Sequence, residues 1–196
     1  MKHTLTVNRE VSVVKIALCG KLRSGKDEIA NHLYIKYGYD RVAFGDALRK
    51  SASEVFPWLY GAKKPRALLQ EYGQLARQID PDVWIKHVER KIKGQIDFRV
   101  SMGADKIGII ITDLRQDNEY EWACANGFTI VKVTAPGELR IERAINLGDD
   151  FTVNDLTHGT EMAIDSFGSD YEIVNDGTID ELKRKVDEVL SEINTK

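Results

Sequence analysis

One segment near the start of the chain, residues 11–37, constrains the fold more than any other. It opens with residues 11–16, an apolar and β-branched stretch typical of a buried strand, and it closes with helical periodicity. Between them, Gly20 and the pair Gly25-Lys26 have the spacing of a phosphate-binding loop. Glycines let backbone N–H groups turn inward around a phosphate, and the start of the following helix favours its negative charge. The order of strand, loop, lysine and helix therefore predicts a site for a nucleotide phosphate.

The lysine of this loop and the residue after it are candidates for contacts to phosphates and to a metal ion. Lys26 would reach the β- and γ-phosphates as a point charge. The next position usually carries Ser or Thr, whose hydroxyl binds magnesium, but this chain has Asp27 there. A carboxylate can also hold Mg²⁺, directly or through water, although it adds negative charge near the phosphates. A glycine-containing turn without a ligand is the alternative interpretation.

The length, net charge, cysteines and apolar runs of the chain limit the classes of protein to which it can belong. A chain of 196 residues fits one domain with a substantial core. The net charge of −3 argues against a general nucleic-acid binder, which usually carries a basic excess. Cys19 and Cys124 form no metal-ligand pair, so a reduced, cytoplasmic setting is the simplest expectation. No apolar run is long enough to span a membrane, and we expect no membrane partner.

Strands and helices alternate along the chain, which predicts an α/β fold with a mostly parallel sheet and helices on both faces. Strands are expected at residues 11–16, 41–44, 107–111, 128–133 and 171–174. The third of these is the most apolar run in the chain and suits a central strand that is covered on both faces. Ligands of open α/β sheets bind at the carboxyl ends of strands, so Asp113 and Arg115 fall where a site is expected.

Between the second and third strands the pattern predicts helices. Asp46 is placed to cap the first of them. The third follows residues 80–82 and is expected to end at Gly94, which leaves residues 95–105 as a strand or a loop. A row along the second helix consists of Arg66, Gln70, Gly73 and Arg77. Glycine inside a helix costs about 1 kcal/mol relative to alanine. Either a ligand or another backbone comes close to Gly73, or its presence is chance.

The last third of the chain offers a candidate lid. Arg140 and Arg143 are three residues apart and therefore lie on one side of a predicted helix. Residues 148–159 are polar and rich in turn-forming residues, so we expect a mobile flap there. Thr178 and Glu181 have the spacing of a capping box at the start of the last helix.

Six segments resemble those of a known family and occur in the same order. They are residues 20–27, 44–50, 68–73, 80–84, 112–115 and 175–178. Together they resemble the deoxynucleoside monophosphate kinases of bacteriophages and prophages, within the adenylate-kinase-like group of P-loop kinases. The resemblance implies a single P-loop kinase domain with a five-stranded parallel sheet. It also implies an acceptor-binding helical insertion at about residues 46–100 and a lid at about residues 137–160.

The activity that the resemblance implies is transfer of the γ-phosphoryl group of ATP to a nucleoside monophosphate, with Mg²⁺. Asp27 and the Asp-Pro-Asp and Asp-Leu-Arg segments are also similar to the animal-type phosphomevalonate kinases. The acceptor therefore stays open between these two substrate classes. A nucleotide-binding protein without turnover is a third hypothesis, and Asp27 is its only support.

Phosphoryl transfer requires positioning and positive charge around the transferring group, and these needs guide the assignment of residues. The candidates for binding ATP are Gly20, Lys21, Leu22, Arg23, Ser24, Gly25, Lys26 and Asp27, with Asn175 and Asp176 beside the adenine. A helix cap is the alternative role for the last two. The candidates for catalysis are Lys26, Arg23, Asp113, Arg140 and Arg143, of which the final two would close on the transferring group as part of the lid. The metal candidates are Asp27 and Asp113.

The acceptor would bind to residues from the insertion and from the end of the third strand. These candidates are Asp46, Arg49, Arg66, Gln70, Arg77 and Arg115. A plain helix cap is the alternative role for Asp46. The expected partner is a small-molecule substrate and not a nucleic acid, and a homodimer is left open.

Overall fold

The computed structural model describes residues 10–60, 65–147 and 159–195. Its strands are β1 (Ser12–Cys19), β2 (Asp40–Val42), β3 (Lys106–Leu114), β4 (Thr129–Thr134) and β5 (Tyr171–Val174). They form one parallel sheet in the order β2-β3-β1-β4-β5. The predicted α/β fold with a five-stranded parallel sheet is therefore confirmed.

Helices connect the strands. They are α1 (Lys26–Tyr37), α2 (Phe44–Val55), α3 (Arg66–Ile79), α4 (Val83–Ser101), α5 (Asp117–Ala125), α6 (Gly137–Asn146), α7 (Gly159–Ser166) and α8 (Ile179–Ile193). A short 3-10 turn, Pro57–Leu59, follows α2. The helices α2, α3 and α4 all lie between β2 and β3 in the chain, which is where sequence analysis expected the helical insertion.

The sheet is covered on both faces, and the central strand β3 shows why. Ile109 and Ile111 pack in the cluster that contains Trp84 of α4, whereas Ile110 points to the other face and packs with Leu33 of α1. This alternation follows from the two-residue period of a strand. Each fully buried isoleucine contributes about 1.5–3 kcal/mol, so burial on both faces holds β1 and β3 firmly. The rigid sheet therefore fixes the loops at its carboxyl edge.

The helix α2 begins earlier than predicted, and its cap comes from another strand. It starts at Phe44, so Asp46 lies inside the first turn and the prediction that Asp46 is the N-cap is wrong. The Asp113 carboxylate at the end of β3 accepts hydrogen bonds from the N–H groups of Phe44 at 2.8 Å and Gly45 at 2.9 Å. These N–H groups have no partner inside the helix, so the distant carboxylate satisfies them. A rule that reads only neighbours in sequence misses such a cap.

The helix α4 continues past the glycine that was expected to end it. Residues 95–101 are helical, so the prediction of a strand or loop there is wrong. Ile92 is buried and Ile96 packs against the same core cluster, so the apolar face continues across Gly94. Apart from the neighbouring backbone of the helix itself, no atom of the described residues lies within 4 Å of the position that a Cβ of Gly94 would occupy. The helix absorbs a propensity cost of about 1 kcal/mol because its packing outweighs it.

Gly73 allows two helices of the insertion to approach. A Cβ at this position would lie 3.1 Å from Cδ2 of Leu48, which is on α2. The close neighbour is thus a side chain of the insertion itself, and neither a ligand nor another backbone is needed to explain the glycine. The Trp84 indole N–H also donates to the Gly73 carbonyl oxygen at 3.4 Å, which joins α4 to α3.

Two further predictions concern the flap and membrane-spanning segments. The predicted flap at residues 148–159 lies outside the described residues, apart from Gly159 at the start of α7. None of the described helices has the length and apolar character that a membrane crossing demands.

Candidate active site

A cleft of about 810 Å³ opens at the carboxyl edge of the sheet. Its walls come from the loop after β1, the start of α2, the helix α3, the end of β3 and the segment after β5. Residues 22, 23 and 25–27 of the loop are on these walls, and so are Arg49 and Arg77 of the insertion. The structure thus brings part of the predicted donor set and part of the predicted acceptor set to one cavity.

The loop after β1 has the backbone that a phosphate cradle needs. Gly20 and Gly25 have φ values of +154° and +110°, in a region that favours glycine. A Cβ at Gly25 would collide with the side-chain amide of Asn175, and one at Gly20 would collide with the Val133 carbonyl oxygen. Arg23 is left-handed as well, with a φ of +59°. Such a conformation in a non-glycine residue costs about 1–3 kcal/mol and is concentrated at functional sites.

The Lys26 ammonium lies over the loop. Its Nζ atom donates to the carbonyl oxygens of Gly20 at 2.5 Å and Lys21 at 2.9 Å, and the residue is 8% exposed. The positive charge is therefore held inside the cradle. Lys21 points elsewhere, because its ammonium pairs with Asp165 of α7 at 2.7 Å.

The two arginines of α6 contact the loop from above. Arg140 Nη1 donates to the Leu22 carbonyl oxygen at 3.3 Å, and Arg143 Nη1 donates to that of Arg23 at 3.4 Å. Arg143 Nη2 also donates to the backbone oxygen of Asn175 at 3.3 Å and to its side-chain oxygen at 3.2 Å. Two guanidinium groups thus contact the backbone of the loop, and Arg143 also lines the cleft.

Asn175 braces the loop instead of capping a helix. It is 5% exposed, and its Nδ2 atom donates to the Ser24 carbonyl oxygen at 2.9 Å. The cap of α8 is the capping box of Thr178 and Glu181, which confirms that prediction. Asn175 therefore links the segment after β5 to the phosphate cradle.

Asp176 pairs with a lysine of α8, whereas Asn175 contacts the loop. Its carboxylate is 3.0 Å from the Lys185 ammonium of α8. That hydrogen bond lowers the pKa of Asp176. The neighbours of Asp176 that line the cleft are Asn175 and Gly177.

The two metal candidates line the same cleft in different settings. The Asp27 side chain is 89% exposed, and its Oδ1 atom is 3.8 Å from Nη2 of Arg41. Both oxygens of Asp113 accept backbone N–H groups, and each retains a further lone pair. Carboxylate oxygens are ligands that Mg²⁺ prefers, so this pair is chemically compatible with that ion. Within the described residues, no cluster of three or more metal-binding side chains occurs.

Asp46 and Arg49 form an ion-paired group at the start of α2. The Asp46 carboxylate accepts from Arg49 at 2.5 Å and from the Lys91 ammonium at 2.8 Å. Burial alone would raise the pKa of Asp46, but the hydrogen bonds from Lys91 and Arg49 outweigh it and lower that pKa. Arg49 lines the cleft.

The other acceptor candidates surround the far wall of the cleft. Gln70, Arg77 and Arg115 line it. Arg66 is the first residue of α3, and its side chain lies outside the described part of the structure. At least two residues of the row on α3, Gln70 and Arg77, therefore line the cavity.

Glu119 is a cleft residue that sequence analysis missed. It is 3% exposed, and its Oε1 atom accepts from Arg77 Nη2 at 3.2 Å. Its Oε2 atom accepts from the N–H groups of Arg115 and Gln116, each at 3.1 Å. Burial, and then the negative charge of Asp113, raise the pKa of Glu119 to about 7 despite these hydrogen bonds.

A local signal for this residue exists in the sequence. Gln116 and Glu119 have capping-box spacing, and the Glu119 carboxylate accepts the Gln116 N–H at 3.1 Å. The helix α5 begins at Asp117, so Glu119 lies in its first turn. The box would have located Glu119, but its burial and its contact with Arg77 depend on α3, which is distant in sequence.

Solved structures with this fold include kinases. A sugar kinase from Janibacter has a TM-score of 0.54 and 16% identity, with 92% of this chain and 95% of that chain covered. A shikimate kinase from Acinetobacter baumannii has a TM-score of 0.50 and 14% identity, with coverages of 96% and 97%. The protein TT1252 from Thermus thermophilus has a TM-score of 0.52 and 20% identity, with coverages of 93% and 98%. Identities this low show only that the chain shares its fold with these proteins.

A match to a sequence family identifies the kind of protein more narrowly than the fold does. The sequence model of the deoxynucleotide monophosphate kinases matches residues 66–186, which is more than half of the chain. This protein therefore belongs to the deoxynucleotide monophosphate kinase family, as the sequence resemblance predicted, and its substrate is a small-molecule nucleotide. The matched segment begins at α3, so it contains Gln70, Arg77 and Arg115 but neither α2 nor the loop after β1.

A viral protein is also similar over most of the chain. The uncharacterized protein ORF77 of Ictalurid herpesvirus 1 (strain Auburn) is 26% identical over 178 residues. The alignment covers 89% of this chain and 69% of the viral protein.

Proposed function

We propose that this kinase transfers the γ-phosphoryl group of ATP to a deoxynucleoside monophosphate within the cleft at the carboxyl edge of the sheet. The observation that carries the proposal is that the lysine-bearing loop and the arginines of α2 and α3 line one continuous cavity of about 810 Å³. Phosphoryl transfer needs two phosphates close together in a positively charged, partly enclosed site. The family membership supports the same reaction.

The donor ATP is assigned to the loop. The N–H groups of residues 22–27 and the Lys26 ammonium would hold its phosphates. A β-carbon at Gly25 would collide with the Asn175 side chain, so a glycine there is consistent with close packing between the loop and the segment after β5. Arg23 lies in the same loop and Arg143 contacts it, which supports roles for both near the transferring group. Asn175 supports the loop through its hydrogen bond to the Ser24 carbonyl oxygen, and the adenine would lie beside the segment after β5.

The acceptor is assigned to the opposite wall. Arg49, Arg77 and Arg115 would bind its phosphate, because guanidinium groups match phosphate oxygens with two parallel hydrogen bonds. Gln70 continues this wall on α3, and Arg66, the first residue of that helix, is assigned to the acceptor as well. Asp46 holds Arg49 at the start of α2. In this account the insertion at about residues 46–100 is the acceptor-binding part of a single kinase domain. The lid consists of about residues 137–160, with Arg140 and Arg143 on its helix.

Magnesium is assigned to the carboxylates of Asp27 and Asp113. Bound there, Mg²⁺ would neutralise developing charge on the phosphate oxygens. The exposed Asp27 side chain at the rim of the cradle is the main support for this role. Substitution of Asp27 by Ser provides the test, since it restores the hydroxyl that this position usually has. We expect Asp27→Ser to lower turnover and to raise the Mg²⁺ concentration needed for half-maximal rate, and a faster Asp27→Ser enzyme would contradict the assignment.

An acceptor panel tests the proposed function. ADP formation from ATP and Mg²⁺ is measured with each deoxynucleoside monophosphate, with the matching ribonucleotides, and with phosphomevalonate. The expected result is stimulation by at least one deoxynucleoside monophosphate well above its ribonucleotide. Stimulation by phosphomevalonate alone, or by no acceptor, would overturn the proposal.

A further inference from the structure

We propose that Glu119 is a positioning residue of the acceptor site, where its carboxylate holds the Arg77 guanidinium and the turn at Arg115 in the geometry that binds the acceptor phosphate. This inference rests on the proposed function and assigns it a residue that lies outside the loop, the metal candidates and the arginines themselves. Glu119 itself would not touch the phosphate.

The two oxygens of Glu119 divide between two parts of the acceptor wall. Oε1 accepts from Arg77 Nη2 at 3.2 Å, and Arg77 is on α3. Oε2 accepts from the N–H groups of Arg115 and Gln116 at 3.1 Å, and these residues form the turn between β3 and α5. One buried carboxylate thus connects the helical insertion to the end of the central strand.

A capping role alone does not explain this arrangement. In the capping box of α8 the corresponding glutamate, three residues after the N-cap, is Glu181, and Glu181 is exposed. In a capping box, the side chain at the third helical position only has to accept the N–H group of the N-cap residue, and glutamine can do so as well as glutamate. Glu119 is buried beside Arg77 within the cleft, where an ionised carboxylate is costly. Burial and the charge of Asp113 raise the pKa of Glu119 to about 7, so the protein retains a carboxylate in a place that disfavours its ionised form.

The contact prepares Arg77 for a phosphate. An arginine has five N–H donors, and the bond to Glu119 uses a donor on one terminal nitrogen. The remaining donors stay with a guanidinium whose direction is fixed before the acceptor arrives. A fixed side chain loses less conformational entropy on binding than a mobile one, so the acceptor binds more tightly. We expect the effect on acceptor affinity, because the contact orients Arg77 for the acceptor phosphate and does not itself involve the transferring group.

The test compares three matched substitutions at pH 8, where most Glu119 side chains are ionised. Glu119→Gln removes the charge and keeps the size. Glu121→Gln makes the same change at an exposed position of the same helix, and Glu181→Gln makes it in the exposed capping box. Steady-state kinetics give kcat and the KM for ATP and for the preferred monophosphate, and calorimetric titration without ATP gives the monophosphate Kd. We expect Glu119→Gln to raise the monophosphate KM and Kd roughly tenfold, the effect of one hydrogen bond between charged groups. The ATP KM and both controls should stay within about twofold of the parent.

A double-mutant cycle with Arg77→Ala identifies the route of the effect. If Glu119 acts through Arg77, Glu119→Gln adds little to the loss that Arg77→Ala already causes. A contribution through the cap alone would add fully to that loss, and additive effects would contradict the inference. If Glu119→Gln does not fold, Glu119→Asp replaces it in the cycle, since the shorter carboxylate retracts from Arg77.

The two proposals can fail separately. A parent enzyme that phosphorylates a deoxynucleoside monophosphate, with Glu119→Gln indistinguishable from Glu121→Gln, would overturn this inference and leave the proposed function intact. A parent enzyme that neither binds nor phosphorylates any monophosphate would overturn both.

Discussion

Stability should depend on pH in a way that a single substitution, Glu119→Gln, removes. Glu119 has a pKa of about 7 in the folded protein, against an ordinary value of 4.5, because it is buried and faces Asp113. The folded chain therefore keeps a proton between these two pH values that the unfolded chain has already lost. Stability that this group contributes is fully present below pH 4.5 and is lost as the pH rises through about 7.

The magnitude follows from the gap between the two pKa values. Each pH unit is equivalent to about 1.4 kcal/mol, so the whole transition is about 3 kcal/mol, of which about 2–3 kcal/mol falls between pH 5 and pH 8. Other groups also titrate in this range, so the parent's profile alone does not isolate Glu119. The difference between Glu119→Gln and the parent does, since glutamine carries no ionisable proton.

Urea unfolding at pH 5, 6, 7 and 8 with linear extrapolation provides the measurement. The unfolding free energy of Glu119→Gln minus that of the parent should become more positive by about 2–3 kcal/mol from pH 5 to pH 8. Glu121→Gln, on the exposed face of the same helix, should give a difference that is constant within about 0.5 kcal/mol. A constant difference for Glu119→Gln would refute the reasoning that burial and Asp113 disfavour the ionised carboxylate.

Three further substitutions test separate parts of the account. Gly25→Ala should lower the free energy of unfolding by about 2 kcal/mol and abolish ATP binding, because φ at Gly25 is positive and the Asn175 side chain fills the space for a Cβ. Gly94→Ala, at an open position inside α4, should instead raise the free energy of unfolding by about 0.5–1 kcal/mol. Urea unfolding and ATP titration of both variants provide the measurements. Thr178→Ala should cost about 1 kcal/mol by removing the side-chain cap of α8, and Thr195→Ala at the exposed end of the chain is the control in the same unfolding experiment. Lys26→Ala should lower kcat about 100-fold or more with an unchanged far-ultraviolet spectrum, and a nearly normal rate would show that the lysine does not act on the phosphates.

Sequence alone predicted the sheet and the loop because both depend on local patterns. The β-branched strands, the loop with Gly20 and Gly25, and the alternation with helices all appear in the structure as expected. The errors lie where a distant residue decides. Asp113 caps α2 from a neighbouring strand, so Asp46 was assigned a capping role that it does not have.

The site was predictable as a set of residue types but not as a network. Arg77 was selected from its position in a row on α3, yet its partner Glu119 belongs to a helix 42 residues later. Asn175 was considered as a helix cap, but its side chain instead holds the Ser24 carbonyl of the loop. Such links depend on tertiary packing, which no periodicity in a single sequence contains.

The central claim is that ATP gives its terminal phosphoryl group to a deoxynucleoside monophosphate held in this cleft. Phosphorus-31 NMR of the parent enzyme with ATP, Mg²⁺ and the preferred monophosphate follows both products at once, and Lys26→Ala serves as the background. The account predicts that ADP and the deoxynucleoside diphosphate appear in equal amounts at the expense of ATP and the monophosphate. Loss of ATP with only inorganic phosphate released, or no reaction above the Lys26→Ala background, would contradict it.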